Sequence, residues 1–123
     1  MKIVLTSNAP AAIGPYSQAI VAGDMVYTSG QIAIDPATGN MVEGGIVEQT
    51  KRVCENVVSL LKAAGTDISK VVKTTCFLAD MADFAAFNAV YAEYFTGKPA
   101  RSCVAVKTLP KGALAEIDTI CLL

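Results

Sequence analysis

Between Ile46 and Ala64 the apolar positions return every three or four residues. Ile46, Thr50, Val53, Val57, Leu60, Leu61 and Ala64 form a stripe, while Lys51, Glu55, Ser59 and Lys62 fall on the other side. That period predicts an amphipathic helix, closed by Gly65 as a C-terminal cap. A second helix is predicted from about Asp83 to Phe95, with Phe84, Phe87, Asn88, Tyr91 and Phe95 near one face and Gly97 and Pro99 ending it. Elsewhere the pattern is that of strands. Residues 18–34 read as two β runs joined at Gly23-Asp24, with Gly first as a type II′ turn prefers. The cluster Asp35-Pro36-Ala37-Thr38-Gly39-Asn40 is a turn, after which the period changes from two to about 3.6. Val71 to Leu78 is rich in β-branched residues, and the tail supplies strands at Ser102 to Lys107 and about Ala113 to Leu122, separated by Leu109-Pro110-Lys111-Gly112.

With Lys2 to Leu5 as a short first strand, the order is β-β-β-α-β-α-β-β. This predicts an α+β domain spanning residues 1–123, with one mixed sheet and two helices packed on one face. The other sheet face then has no partner within the chain, which points to oligomerisation. Composition strengthens this reading. The chain is 53% apolar and only 17% charged, against about 25% charged in an ordinary soluble domain. So little charge is hard to spread over a small monomer.

Several function classes are disfavoured. Ten Lys and Arg oppose eleven Asp and Glu, for a formal charge of −1, and no run of five like charges occurs. A broad nucleic-acid footprint needs a basic stripe, which is missing. The longest uncharged stretch, Ile3 to Gly23, contains Asn8, Pro10, Gly14, Pro15, Ser17 and Gln18, so it does not read as a membrane helix. No export signal is read at the start, and the expected location is cytoplasmic. Histidine is absent, which removes Ser-His and Cys-His nucleophilic arrangements and histidine-ligated metal sites. Cys54, Cys76, Cys103 and Cys121 form no Cys-x-x-Cys pair and read as reduced thiols, mostly buried.

Chemistry has few places to sit. Arg101, after Pro99-Ala100 at the mouth of an otherwise uncharged strand, can offer a planar fork to a carboxylate, or can simply flank the strand and reach water. Glu116 shares a strand face with Asp118. Two carboxylates at i and i+2 repel, and partial desolvation of one raises its pKa toward acid-base use; an exposed sheet face is the plainer reading. Tyr16 lies in the rigid loop Ala11-Ala12-Ile13-Gly14-Pro15-Tyr16-Ser17, its hydroxyl either in a pocket or packed at a strand end. Thr28-Ser29-Gly30-Gln31 places small residues in a β run, marking either close approach by a ligand or a β-bulge.

Taken together, five ordered blocks carry a resemblance. They are AIGPYSQA at 12–19, TSGQI at 28–32, AAG at 63–65 with VVKTTCFL at 71–78, NAVYAEYF at 88–95 and PARSCVAVKTLPKGALAEID at 99–118. The sequence resembles the Rid (reactive intermediate deaminase, or YjgF) family, and within it the subgroup that hydrolyses 2-iminobutanoate and 2-iminopropanoate. The resemblance implies a chorismate-mutase-like homotrimer in which three sheets form a central barrel, with sites in the clefts between subunits. It implies that Arg101 grips a substrate carboxylate, that the Tyr16 hydroxyl lies beside the ligand, and that Glu116 orients or activates the attacking water. Cys103, Gly30 with Ser29, and Asn88 would line the pocket, and Tyr16 would face Arg101 across a subunit boundary. Asp118, where many relatives carry Glu, and Ala115, where a larger β-branched residue is common, depart from the pattern without replacing a matched site residue.

The reaction so implied is hydrolysis of small 2-imino acids, released by pyridoxal-phosphate dehydratases, to 2-oxo acids and ammonia, with no metal or organic cofactor. Two other functions stay open on sequence grounds: a ribonuclease or translation inhibitor, and a ligand-sensing or holdase module that binds a carboxylate without turnover.

Overall fold

The computed structural model describes residues 1–123. Its elements are β1 (Lys2–Val4), β2 (Ala19–Ala22), β3 (Met25–Thr28), α1 (Ile46–Ala64), β4 (Val71–Leu78), α2 (Phe84–Tyr94), β5 (Ala100–Ala105) and β6 (Ala115–Leu122). The strands form one sheet in the order β1-β2-β3-β6-β4-β5. Only β4 and β5 run parallel, with α2 as the crossover between them; the other neighbours are antiparallel. The predicted element order and the mixed sheet are both observed.

Boundaries differ for local reasons. The hairpin turns at Gly23, whose φ of +60° is the left-handed value a primed turn requires. Its second run stops at Thr28 rather than continuing to Ile34. Beyond that point Gln31 keeps only a single bridge to Ile117, and Asn56 of α1 captures the next carbonyls, donating to Ile32 O at 3.0 Å and Ile34 O at 2.9 Å. A short 3₁₀ turn, Met81–Asp83, precedes α2 because the Asp80 side chain accepts from Ala82 N. The fifth strand starts at Ala100, before the predicted Ser102, because the parallel ladder with β4 already includes Ala100 and Arg101. The sixth starts at Ala115, since Leu114 N turns aside to Gln49 Oε1 at 2.8 Å.

The α1 stripe meets the sheet as its period requires. Val53, Val57, Leu60 and Leu61 are fully buried in a cluster with Val26, Cys76, Leu78, Ile117 and Cys121. Each such side chain contributes about 1.5–3 kcal/mol of burial. All four cysteines are free; Cys54, Cys76 and Cys121 are buried and Cys103 is half-buried. Burial pushes the Cys76 thiol up to about 12, which makes it inert as a nucleophile.

The other sheet face is uncovered by any element of the chain. Ile3, Ile20, Tyr27 and Ile120 stand side by side in register across β1, β2, β3 and β6, with Lys73 of β4 next in the row. Ile3 is 62% exposed and Tyr27 45%. Ile20 and Ile120 are half-buried, and an apolar row that no element covers is unusual for a surface that stays in water. No helix is long and apolar enough to cross a membrane.

Candidate active site

Arg101 is the second residue of β5 and points to the helix-covered side. It is paired in register with Thr74 of β4, which is fully buried. Its guanidinium lies 4.8 Å from the centre of the Tyr91 ring and 5.5 Å from that of Phe84. Nη1 donates to Asn88 Oδ1 at 2.7 Å. Phe84, Asn88 and Tyr91 fall at i, i+4 and i+7 of α2, one face of the helix, so the helix presents two rings and an amide to one cation. With one amino group committed to Asn88, the remaining N–H groups stay free for a planar anion. They face a shallow pocket of about 320 Å³ lined by Asn88, Tyr91, Phe95, Lys98 and Arg101.

Glu116 belongs to the opposite side. Along β6 it alternates with buried Ala115 and Ile117, so it shares the uncovered face with Asp118 and Ile120. Its carboxylate lies along the Gly30 backbone, close enough that a Cβ on residue 30 would come within 2.7 Å of Glu116 Cδ. A side chain at residue 30 would have to push the carboxylate aside. Glu116 also borders a cavity of about 200 Å³ whose other walls include Ile13, Tyr16, Ile32, Ile34 and Pro110. Partial burial among these groups raises the Glu116 pKa, and the neighbouring Asp118 charge raises it further. Asp118 is raised by burial too, against the opposing pull of Thr75 and Lys73.

Loops without regular structure form this cavity, and buried amides hold them. Gln18 accepts from Thr6 N at 2.8 Å and donates to the carbonyls of Thr6, Ala9 and Pro10 at 3.0, 3.3 and 2.8 Å. Ser29 donates to Ser17 O at 2.6 Å, tying the Gly30 segment to the loop that carries Tyr16. Its hydroxyl is thereby engaged within the protein. The Tyr16 ring is 53% exposed, and its hydroxyl meets only Ile13 N, at 3.4 Å.

The residues singled out from sequence thus fall into two groups. Tyr16, Gly30 and Glu116 line one cavity; Arg101 and Asn88 line the other, with Cys103 two residues along β5 on the Arg101 side. The sheet itself separates the groups. Tyr91 and Phe84, which hold the arginine, were legible only as one face of the second helix. Their spacing with Asn88 is in the sequence, but the parallel placement of β5 beside β4 is what brings a cation to them.

The protein-family comparison matches residues 6–123 to the family described as Endoribonuclease L-PSP, the YjgF/Rid family. The chain belongs to the Rid family.

Relatives agree along their whole lengths. The Rid chain is 52% identical over 120 residues to a RutC family protein of Pyrococcus horikoshii, covering 97% of this chain and 95% of that one. It is 49% identical to the 2-iminobutanoate/2-iminopropanoate deaminase of Mus musculus, covering 97% and 89%. Among solved structures, RidA from an Antarctic Psychrobacter superposes with a TM-score of 0.96 at 40% identity, each chain fully covered. E. coli TdcF with bound serine superposes at 0.95 with 41% identity, covering 100% of the Rid chain and 99% of TdcF. Names among the relatives divide between imino-acid deaminase, RutC and endoribonuclease.

Proposed function

We propose that this protein is a hydrolytic deaminase of short 2-imino acids, acting as a homotrimer whose sites are each completed by two chains. The observation that carries the reading is the division just described. A cation preset for a carboxylate lies on one side of the sheet, and a carboxylate of raised pKa borders a largely apolar cavity on the other. A substrate that needs both must lie between neighbouring copies. The row of Ile3, Ile20, Tyr27 and Ile120, exposed at Ile3 and Tyr27 and half-buried between, supplies surface for such an assembly. Four unpaired cysteines suit the reducing cytosol.

In this mechanism Arg101 holds the substrate carboxylate, and the apolar wall of Ile13, Ile32 and Ile34 receives its short aliphatic side chain. Glu116 takes a proton from a water as the oxygen attacks the imine carbon. It returns the proton to nitrogen, and the tetrahedral carbinolamine collapses to 2-oxo acid and ammonia. Tyr16 and the Gly30 backbone line the same cavity and are placed to hydrogen-bond the intermediate. Free imines already hydrolyse in water, so a general-base effect of about 10²–10⁴-fold, or about 3–5.5 kcal/mol, suffices. The substrates fit those released by pyridoxal-phosphate dehydratases.

To test this, 2-iminobutanoate is generated with a threonine dehydratase and its loss followed with and without the protein. Acceleration is expected, and Arg101→Ala should lower kcat/KM by about 100-fold through loss of a bidentate charge-assisted contact. No acceleration, or full activity in that variant, overturns the proposal. RNA cleavage is the second reading, suggested by the family's description, and the near-neutral charge weighs against it. Ribonuclease activity that co-purifies with the pure chain and vanishes in Arg101→Ala would favour it.

A further inference from the structure

The site just proposed uses Arg101 as its anchor, and what fixes that anchor is visible beneath it. Tyr91 is 8% exposed. Its ring is stacked on Phe95 with centres 4.4 Å apart and an interplanar angle of 22°, and tilted against Phe87 at 5.7 Å and 34°. Its hydroxyl shares a 2.7 Å hydrogen bond with Thr74 Oγ1. Thr74 is the residue paired with Arg101 across the parallel ladder, and the Cys76 thiol donates to the same Oγ1 at 3.8 Å. The strand neighbour of the arginine therefore grips the ring on which the arginine lies.

An arginine held only by Asn88 and by the more distant, half-buried Phe84 ring would keep much of its freedom to swing about that bond. A ring fixed from two sides and bolted at its hydroxyl removes this freedom, because the guanidinium plane follows the ring it lies over. We propose that Tyr91, locked by Thr74, is a positioning residue that sets the plane of the Arg101 fork and with it the affinity for the substrate carboxylate. The inference rests on the proposed reading of Arg101 as the carboxylate anchor. It concerns affinity rather than turnover, since Tyr91 contacts the group that holds the carboxylate and not the group that moves the proton.

The chain has only two arginines, Arg52 and Arg101, so their side-chain Nε–H signals are readily told apart by NMR. Arg52, whose Nε donates to Asn56 Oδ1 at 3.1 Å, serves as an internal control. Tyr91→Leu should lower the order parameter of Arg101 alone. It should raise KM for 2-iminobutanoate and Kd for 2-oxobutanoate about fivefold to tenfold, within the range of a partly desolvated cation–π contact, and leave kcat within about twofold. Tyr91→Phe, which keeps the ring, should recover most of that affinity. Thr74→Val, which frees the hydroxyl end of the ring without emptying the core, should loosen Arg101 in the same sense by about twofold to threefold, and it carries the test should Tyr91→Leu fail to fold. An Arg101 signal as rigid as in the wild type, or a kcat loss with KM unchanged, overturns the inference. A wild-type chain that binds 2-oxobutanoate but shows no imine hydrolysis overturns the proposed reaction and leaves this inference standing on binding and NMR. A wild-type chain that binds no 2-oxo acid overturns both.

Discussion

Arg101 stands inside a regular ladder, with the strand on one side and a helix face of two rings and an amide on the other. Glu116 also rises from a strand, yet what surrounds it is chain without regular structure, residues 8–17 and 29–34, held by the buried amides Gln18 and Asn56. The first group is defined by contact: its partners can be named atom by atom. The second is defined by environment, since burial and a neighbouring like charge act on Glu116 without any bonded partner. The difference assigns separate tasks. Contacts set where a ligand sits, and environment sets when a proton moves.

The sharpest way to break this comparison is to disable one half in each of two chains. Glu116→Gln should lower kcat by about 10²–10⁴-fold while 2-oxobutanoate still binds. Refolding it together with an equal amount of Arg101→Ala should then restore about one quarter of wild-type activity, the fraction of clefts that draw an intact half from each neighbour when subunits assemble at random. A mixture as inactive as its components would put the whole site in one chain. A smaller effect is expected of Gly30→Ala. Its methyl group must displace the Glu116 carboxylate, so kcat should fall about tenfold with carboxylate affinity unchanged, as a shift of a reacting group by about 1 Å can cost up to 10²-fold. An equal loss of affinity would show that the two halves are not independent.

The smallest effect, and the most diagnostic of environment, is expected of Asp118→Asn. The Asp118 charge helps to raise the Glu116 pKa, so removing it lets that pKa fall. The base form then persists to lower pH, and the acid limb of the kcat/KM profile should move down. A limb that stays in place, or moves up, would show that Glu116 does not set it.

How much of this was legible in the sequence follows the same division. The α1 stripe, the succession of elements along the chain and the uncovered sheet face all come from periodicity, and Arg101 was noticeable as a lone charge beside an apolar strand. What periodicity could not carry is the path of residues 29–34, read as the rest of a strand. Ile32 and Ile34 keep an alternating pattern, but Asn56, distant in sequence, takes the carbonyls a strand neighbour would have used. The early start of β5 escaped for a related reason. Pro99 and Ala100 look like the end of a loop, and only pairing with Lys73 and Thr74 makes Ala100 and Arg101 part of the ladder.

Gln18 has a consequence for how such a pocket changes over time. Because one amide gathers Thr6, Ala9 and Pro10, the loop over the Glu116 cavity is held largely from outside, with Tyr16 the loop side chain that bonds within it. Ala11 and Ile13, both exposed, are thus free to vary in size, and natural variation there can retune which side chains the cavity admits while Glu116 and Arg101 stay where they are.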